Sequence, residues 1–433
     1  MIVCVLLPRF ELAVAAGGRE ALAAAPLALA PEIGREQLVG ETSAAAEAHG
    51  VRAGLRLGEA LARCPTLQLV TPDPAGVADA WEGIVGALEG IGAAVESDRP
   101  GMAWFDERCL RGLHGGSVEG VITAARRALA GRSRDPGSVP GGAALHPSAP
   151  RDPSAAAHAA SRGVAVGAGG RIGAAPSRFA ALSAAHRARA RRPEIAPEKP
   201  ASLAAYLAPL PVSLLSSRPE VATLPEALER FGIATLGELA KLSRAALADR
   251  FGQPGLLARD LALGRDTPLR PRVPSERLQE VLELPESALG QQLERALGML
   301  IDRVLARPER RGRTVRAVVL SAALVGGGTW RTQLTFREAL SDPRRMRLAL
   351  GGRLTELPAP ADSLRLRVEA FGPPSGDQRS LLAEPAAIRR ARLREAVRQT
   401  RAAAGPDAAL RILAVDPDSR VPERRLALAP WEP

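Results

Sequence analysis

The chain opens on IVCVLL, residues 2–7, an unbroken and partly β-branched apolar run that reads as a buried central strand. The Ala-rich stretch 10–29 has helical composition, with Gly17-Gly18 as a break. Residues 49–70 read as turn, helix, proline stop and strand, the helix carrying Leu55, Leu57, Ala60, Leu61 and Ala62 on its apolar side. TPDP at 71–74 is a turn. A long amphipathic helix over about 76–95 follows, with Val77, Trp81, Ile84, Val85, Leu88 and Ile91 at helical spacing. A strand is expected at 102–106, a helix at 117–130, a strand within 162–170 and a helix at 176–190 opened by Pro176-Ser177. Between them, 131–160 is rich in Pro, Ser, Gly, Ala and Arg and reads as a loop or disordered insert.

After the linker RRPEIAPEKP the periodicity changes. Residues 224–266 consist of short helical runs punctuated by Gly232, Gly237, Gly252, Gly255 and Gly264, a compact all-helical module. Residues 277–372 then alternate: strand 278–284, helix 286–306, strand 314–325, turn 326–328, strand 329–337, helix 342–356, strand 363–371. That βαββαβ order predicts a four-stranded sheet backed by two helices. The tail has a basic helix over about 385–403, with Arg389, Arg390, Arg392, Arg394, Arg398 and Arg401, then the short strand RILAV. The fold class is α/β and multidomain, with boundaries expected at 1–200, 201–270, 271–373 and 374–433.

Composition sharpens this picture. With 433 residues and 46% hydrophobic positions, the chain can bury several cores. Its formal net charge of +11 is carried almost wholly by Arg, since Lys occurs only at 199 and 241. A GC-rich coding bias explains Arg over Lys but not base over acid. The surplus favours a polyanionic partner such as nucleic acid, with a solvated basic surface as the plain alternative. Cys4, Cys64 and Cys109 form no CxxC and have no His at ligand spacing, so they give no structural zinc site and suit a reducing cytoplasm. Arg9 and Glu11 interrupt the first apolar run, which excludes a signal peptide, and no run reaches the ~18 residues of a membrane span.

Candidate chemistry centres on GMAWFDERCL, 101–110, where an apolar strand ends in Asp106 and Glu107. Two-metal phosphoryl transfer needs such acids plus a bridging carboxylate from another strand. The first strand offers none: Leu6, Leu7 and Pro8 stand at its end. Neighbours on a strand face opposite ways, so Glu107 can instead pair with Arg108 on a solvated surface. Arg310, Arg311, Arg313 and Arg316 crowd the second strand of the βαββαβ unit.

Several strings resemble the Y-family translesion DNA polymerases, and among them the ImuB-type polymerase-like proteins, over roughly 1–372. HGVRAGLRLGEALARCPTLQLVTPD resembles the fingers, AWFDERCLRGL and GAAPSRF the palm, and FGIATLGELAKLS with FGQPGLLARDLALGRD the thumb. The βαββαβ unit resembles the little finger. The resemblance implies a disabled site without metal or cofactor. Leu6 stands where active members have a metal-binding Asp, and Glu11 where they have an aromatic wall against the 2′-hydroxyl. Ala44 and Glu47 replace the Tyr and Arg that hold the triphosphate, and Leu182 replaces a Lys. A Glu there repels a triphosphate by roughly 4 kcal/mol at ~4 Å and an effective dielectric of ~20. Asp106 and Glu107 match active members but read as vestigial or structural. In the thumb, Pro219 and Val221 occupy the positions of the glycine amides that grip DNA, which shifts DNA contact to Arg310, Arg311, Arg313, Arg316, Arg331 and Arg337, or leaves those as a charged sheet edge.

DQRSLLAEP, 377–385, resembles the sliding-clamp motif, with Gln378 as hydrogen-bonding residue and Leu381 and Leu382 as anchors; otherwise it is a linker. The expectation is therefore a non-catalytic adaptor in damage-induced mutagenesis and the SOS response. Its implied partners are damaged or primer-template DNA, the sliding clamp, an error-prone replicative-type polymerase and a RecA-like accessory protein. The alternative is an active, distributive Y-family translesion polymerase.

Overall fold

The computed structural model of the protein describes residues 1–32, 36–130, 169–274, 278–374 and 385–431. They form two compact units, Met1–Gly372 and Pro373–Pro433. The expected insert at 131–160 and the clamp-like residues Gln378, Leu381 and Leu382 lie outside the described residues, as does nearly all of the strand expected within 162–170.

The first unit starts as expected, with β1 at Ile2–Leu6. The helical stretch expected over 10–29 needs correction. It contains α1 (Phe10–Ala15), α2 (Ala21–Ala24) and then β2 (Leu27–Leu29), which pairs in parallel with β3 (Gln68–Val70). A short Leu-Ala-Leu run fits helix and buried strand alike, and the pairing decides it. Between β2 and β3 lie α3 (Ala44–Ala48) and α4 (Leu57–Arg63). Of the apolar face expected on α4, Ala60 is buried whereas Leu61 and Ala62 are exposed.

Helix α5, Pro74–Gly90, ends earlier than its apolar spacing suggests. Asp73 caps it, accepting from Gly76 N at 2.9 Å, and Pro74 opens its first turn. The residues beyond form β4 (Val95–Arg99), a polar strand that hairpins onto β5 (Met102–Asp106) through Gly101 at φ +87°. Helix α6 is Val118–Ala130. Strand β6, Arg171–Ala175, lies C-terminal to the strand expected within 162–170. Helix α7, Arg178–Arg187, is capped by Ser177, and β7 is Glu194–Ile195.

The resulting sheet has the order β4-β5-β1-β6-β7, so β1 is central, antiparallel to both β5 and β6. Its alternation sends side chains to two cores. Val3, Val5, Ala103 and Phe105 face α5 and α6, meeting Trp81, Ile84, Val85, Leu88, Val121 and Ile122. Cys4, Leu6, Met102 and Trp104 face α7. Each large apolar side chain fully buried here contributes about 1.5–3 kcal/mol.

The helical module comprises α8 (Pro200–Leu207), α9 (Leu224–Arg230), α10 (Leu236–Lys241) and α11 (Arg244–Ala262). The βαββαβ unit is observed: β8 (Leu278–Ala288), α12 (Gln291–Ala306), β9 (Arg313–Leu324), β10 (Thr329–Leu340), α13 (Pro343–Leu354) and β11 (Ala361–Pro374). The strand order is β10-β9-β11-β8. Both helices cover one face, and α5 lies against the other.

The second unit contains α14 (Pro385–Ala404), β12 (Leu410–Ala414), α15 (Pro422–Arg425) and β13 (Leu426–Pro430), the two strands pairing antiparallel. Arg401 ties the helix to the strands by donating to Trp431 O at 2.8 Å. Among the described residues, no helix is long and apolar enough to cross a membrane.

Candidate functional site

The end of β1 is where a polymerase-like site would form. In the β1–β5 register Leu6 pairs with Met102, and Leu7 N donates to Gly101 O at 2.8 Å. Asp106 pairs with Ile2 at the opposite end. Four strand positions separate it from the Leu6 row, about 13 Å. The structure therefore does not bring Asp106 and Glu107 to the residue they were expected to flank. The matching string hid this because antiparallel register is not written in either strand alone. Facing Leu6 are Met102 and the hairpin Gly101, and Leu6 is buried against α7.

The acidic pair has other work. Asp106, not Glu107, pairs with Arg108, at 2.6 Å. Glu107 is buried and holds Arg111 and the Met1 amine, the latter at 2.6 Å. Burial alone would raise both carboxyls. The Arg108 contacts on Asp106, and Arg111 with the amine on Glu107, outweigh it and hold both below their ordinary range. Glu107→Gln is expected to cost about 1–3 kcal/mol at neutral pH by loosening this anchor. The sign follows from the depressed folded-state value: the stabilisation is present above the ordinary Glu range and lost as pH falls through the lower folded value. Urea midpoints of wild type and variant should therefore differ at pH 7 and converge in acid.

Beyond β1 the chain turns at Arg9, in the left-handed region with φ 55°. Its guanidinium donates to Thr42 O at 2.7 Å and pairs with Glu47 at 2.6 Å. These residues, with Glu41, Arg52 and Ala53, line a cleft of about 530 Å³. Glu41 accepts from Leu12 N at 2.9 Å, and burial pushes its carboxyl up despite that bond. Two acids thus stand beside two arginines, and the Arg9 charge is already met. Ala44 opens α3 just after its cap Ser43, Glu11 is exposed on α1, and Leu182 is buried inside the α7 core.

A buried charge network, not anticipated from the strings, joins the first sheet to the helical module. Arg178 opens α7, pairs with Glu96 at 2.6 Å and with Asp98, and stacks on Trp104 with its Cζ 4.2 Å from the ring centroid. Burial pulls the Arg178 guanidinium below its ordinary value, Glu96 opposing and Arg218 adding to the effect. Arg218 pairs with the fully buried Asp266 at 3.1 Å, and Asp266 accepts from Phe179 N at 2.9 Å, capping the first turn of α7. The available signal was the pattern of β4, whose Glu96 and Asp98 alternate with Val95 and Ser97.

In the helical module Pro219 has no amide to offer, and Val221 N is used by Arg218 O at 3.1 Å. The arginines expected to form one surface separate into three places. Arg310 and Arg313 tie down the α12–β9 turn, donating to Leu305 O at 3.0 Å and Arg310 O at 3.1 Å, with Arg311 between them at φ 51°. Arg316 donates to the backbone of Arg337 on the neighbouring strand. Arg331 lies on the open face of the sheet, where Arg365 and Arg367, missed in the sequence, join it beside α5. Among the described residues, no group of three or more His, Cys, Asp or Glu is placed to hold a metal ion.

The impB/mucB/samB family matches residues 6–132. No curated protein matches the chain. Among solved structures, the chain is similar to DinB from Sulfolobus solfataricus, at 15% identity over 85% of this chain and 98% of that one, TM-score 0.46. It is similar to a Dbh ternary complex with partially disordered substrates, at 15% identity over 86% and 100%, TM-score 0.43. An insertion ternary complex of Dbh DNA polymerase gives 14% identity over 86% and 99%, TM-score 0.45. The family match agrees with the resemblance drawn from the fingers string and from AWFDERCLRGL: over residues 6–132 this chain is similar to the impB/mucB/samB family.

Proposed function

We propose that the protein is a non-catalytic Y-family homologue, an adaptor on DNA for error-prone translesion synthesis. The observation that carries this reading is the apolar packing at the end of β1. Leu6 lies opposite Met102, both buried under α7; Glu96 and Asp98 on the adjoining β4 are held by Arg178, and Asp106 and Glu107 are at the far end of β5, engaged by Arg108, Arg111 and the Met1 amine. Two-metal transfer requires carboxylates free to bind ions at that corner; the residues paired there are leucine, methionine and glycine, and the acids of the adjoining β4 are already matched by Arg178. The Arg9–Glu47 pair supports the same reading, because it leaves little net positive charge for a triphosphate.

In this reading the protein acts through its partners. The net charge of +11 favours sequence-independent, salt-sensitive DNA binding. Gln378, Leu381 and Leu382 are proposed to engage the sliding clamp, and a replicative-type polymerase with a RecA-like accessory protein to complete the assembly in the cytoplasm. Two assays test it together. Purified protein with magnesium and deoxynucleotides is expected to leave a primer unextended, and Gln378→Ala with Leu381→Ala to lose clamp in a pull-down. Template-dependent extension by the wild-type chain would overturn the non-catalytic reading, and an intact chain that does not retain clamp would remove the adaptor role.

A further inference from the structure

Three guanidinium groups on the open face of the four-stranded sheet converge on one carboxylate of α5. Arg331 on β10 and Arg365 and Arg367 on β11 approach Asp79 at 3.8, 3.5 and 4.0 Å. Ser321, paired with Arg331 across β9 and β10, donates to the same carboxylate at 2.9 Å. The Asp79 side chain is 8% exposed. One negative charge is thus surrounded by three positive ones. Glu369 answers part of the surplus, at 3.2 Å from Arg367.

The fit is loose in a telling way. None of the three guanidinium contacts with Asp79 is closer than 3.5 Å, and the buried Nε of Arg365 has no hydrogen-bond partner. A planar carboxylate is smaller than the space these donors enclose. A tetrahedral phosphodiester, with two non-bridging oxygens sharing its charge, is a better match to several arginines and a hydroxyl. Beside the cluster opens a cavity of about 380 Å³, bordered by Arg272, Arg331, Arg367, Glu82 and Glu369.

The rest of the seam is polar as well. Asp73 accepts from Thr329 Oγ1 at 2.9 Å, and Arg272 is held by Glu82 at 2.8 Å and Glu89 at 2.7 Å. Gly76 lets the helix lie this close, since a Cβ there would sit 2.8 Å from Thr329 Oγ1. A contact made of charge and hydroxyls gives way to a competing polyanion more readily than an apolar core does.

We propose that Arg331, Arg365, Arg367 and Ser321 form a binding site for the phosphate backbone of duplex DNA, and that Asp79 occupies it as an internal competitor. DNA and α5 then exclude each other from the open face of the sheet, so the closed seam keeps these three arginines from a duplex held by other basic residues of the chain. This rests on the reading of the chain as a DNA-binding protein and adds how the binding is restrained.

The test is fluorescence anisotropy of a labelled duplex with the full chain across a salt series. Asp79→Asn is expected to bind about fivefold tighter at low salt. Its salt dependence should steepen by about 2–3 in log–log slope, because each phosphate newly reached contributes about 0.9. Thr329→Ala, which removes the neighbouring seam bond to Asp73 without touching the proposed site, should move both readouts the same way by less. Adding Arg365→Gln and Arg367→Gln to Asp79→Asn should return affinity and slope to wild-type values. Wild-type binding with an unchanged or weakened Asp79→Asn that melts normally overturns this proposal alone. No duplex binding by either chain overturns the DNA-binding reading with it. If Asp79→Asn melts below the assay temperature, Thr329→Ala decides on the same two readouts.

Discussion

A Leu6→Asp variant is expected to lose stability without gaining primer extension. Leu6 is buried, pairs across the sheet with Met102 and packs under α7. An aspartate there would have to be buried, charged or protonated, in an apolar core with no cation assigned to it, which is among the few single changes that cost more than about 4 kcal/mol. Burial would raise its pKa, so the folded state would hold a proton that the unfolded state releases. The penalty should therefore be small near pH 4 and grow as pH rises toward neutrality. Urea unfolding at pH 4.5 and 7.5 measures this, with Leu6→Asn as the uncharged control. No metal site is regained, because the acids of β5 lie at the other end of the strand. Magnesium-dependent extension by the variant would show that the corner still closes around metal ions.

The second large effect is expected at Arg178. Replacing it with Met keeps most of the volume but leaves Glu96 and Asp98 without their cation and Trp104 without its stacked guanidinium. Removing one partner of a buried pair costs about 3–5 kcal/mol, most of it the price of the charge left behind. Glu96 is also bonded by the Arg270 backbone amide, so the loss spreads into the segment that follows the helical module. The double variant Arg178→Met with Glu96→Gln should recover part of the loss, with a coupling of about 1–3 kcal/mol. A denaturant double-mutant cycle measures it, and strict additivity would mean that the two side chains do not share their energy.

The sequence was most legible where one rule governed a whole element. The βαββαβ unit follows from alternation in strands, helical spacing between them and the Gly326–Gly328 turn, and the structure has each element within a few residues of its expected place. Strand β4 was hidden because its residues are mostly polar, two of them sequestered by Arg178 from α7. Strand β2 was hidden by its alanine-rich surroundings. Asp106 and Leu6 were each placed on the right strand, but the geometry between them depends on register, a relation between strands. The arginines behaved likewise. Their number was plain, yet nothing local shows that Arg310 and Arg313 serve a turn or that Arg365 and Arg367 meet Asp79, far back in the chain.

Helix α7 carries a consequence for movement. Every residue from Arg178 to Ala185 is buried, and at Gly173 a Cβ would lie 2.1 Å from Ala185 N and 2.4 Å from Ala181 O. Leu6 and Trp104 on one side and Leu207, Leu239 and Leu261 on the other belong to one continuous cluster through that helix. The connection before residue 200 is therefore a tether across a joint already closed from within. Swinging the helical segment away would mean tearing dry interior, so freedom to hinge falls to the salt-laced border along α5.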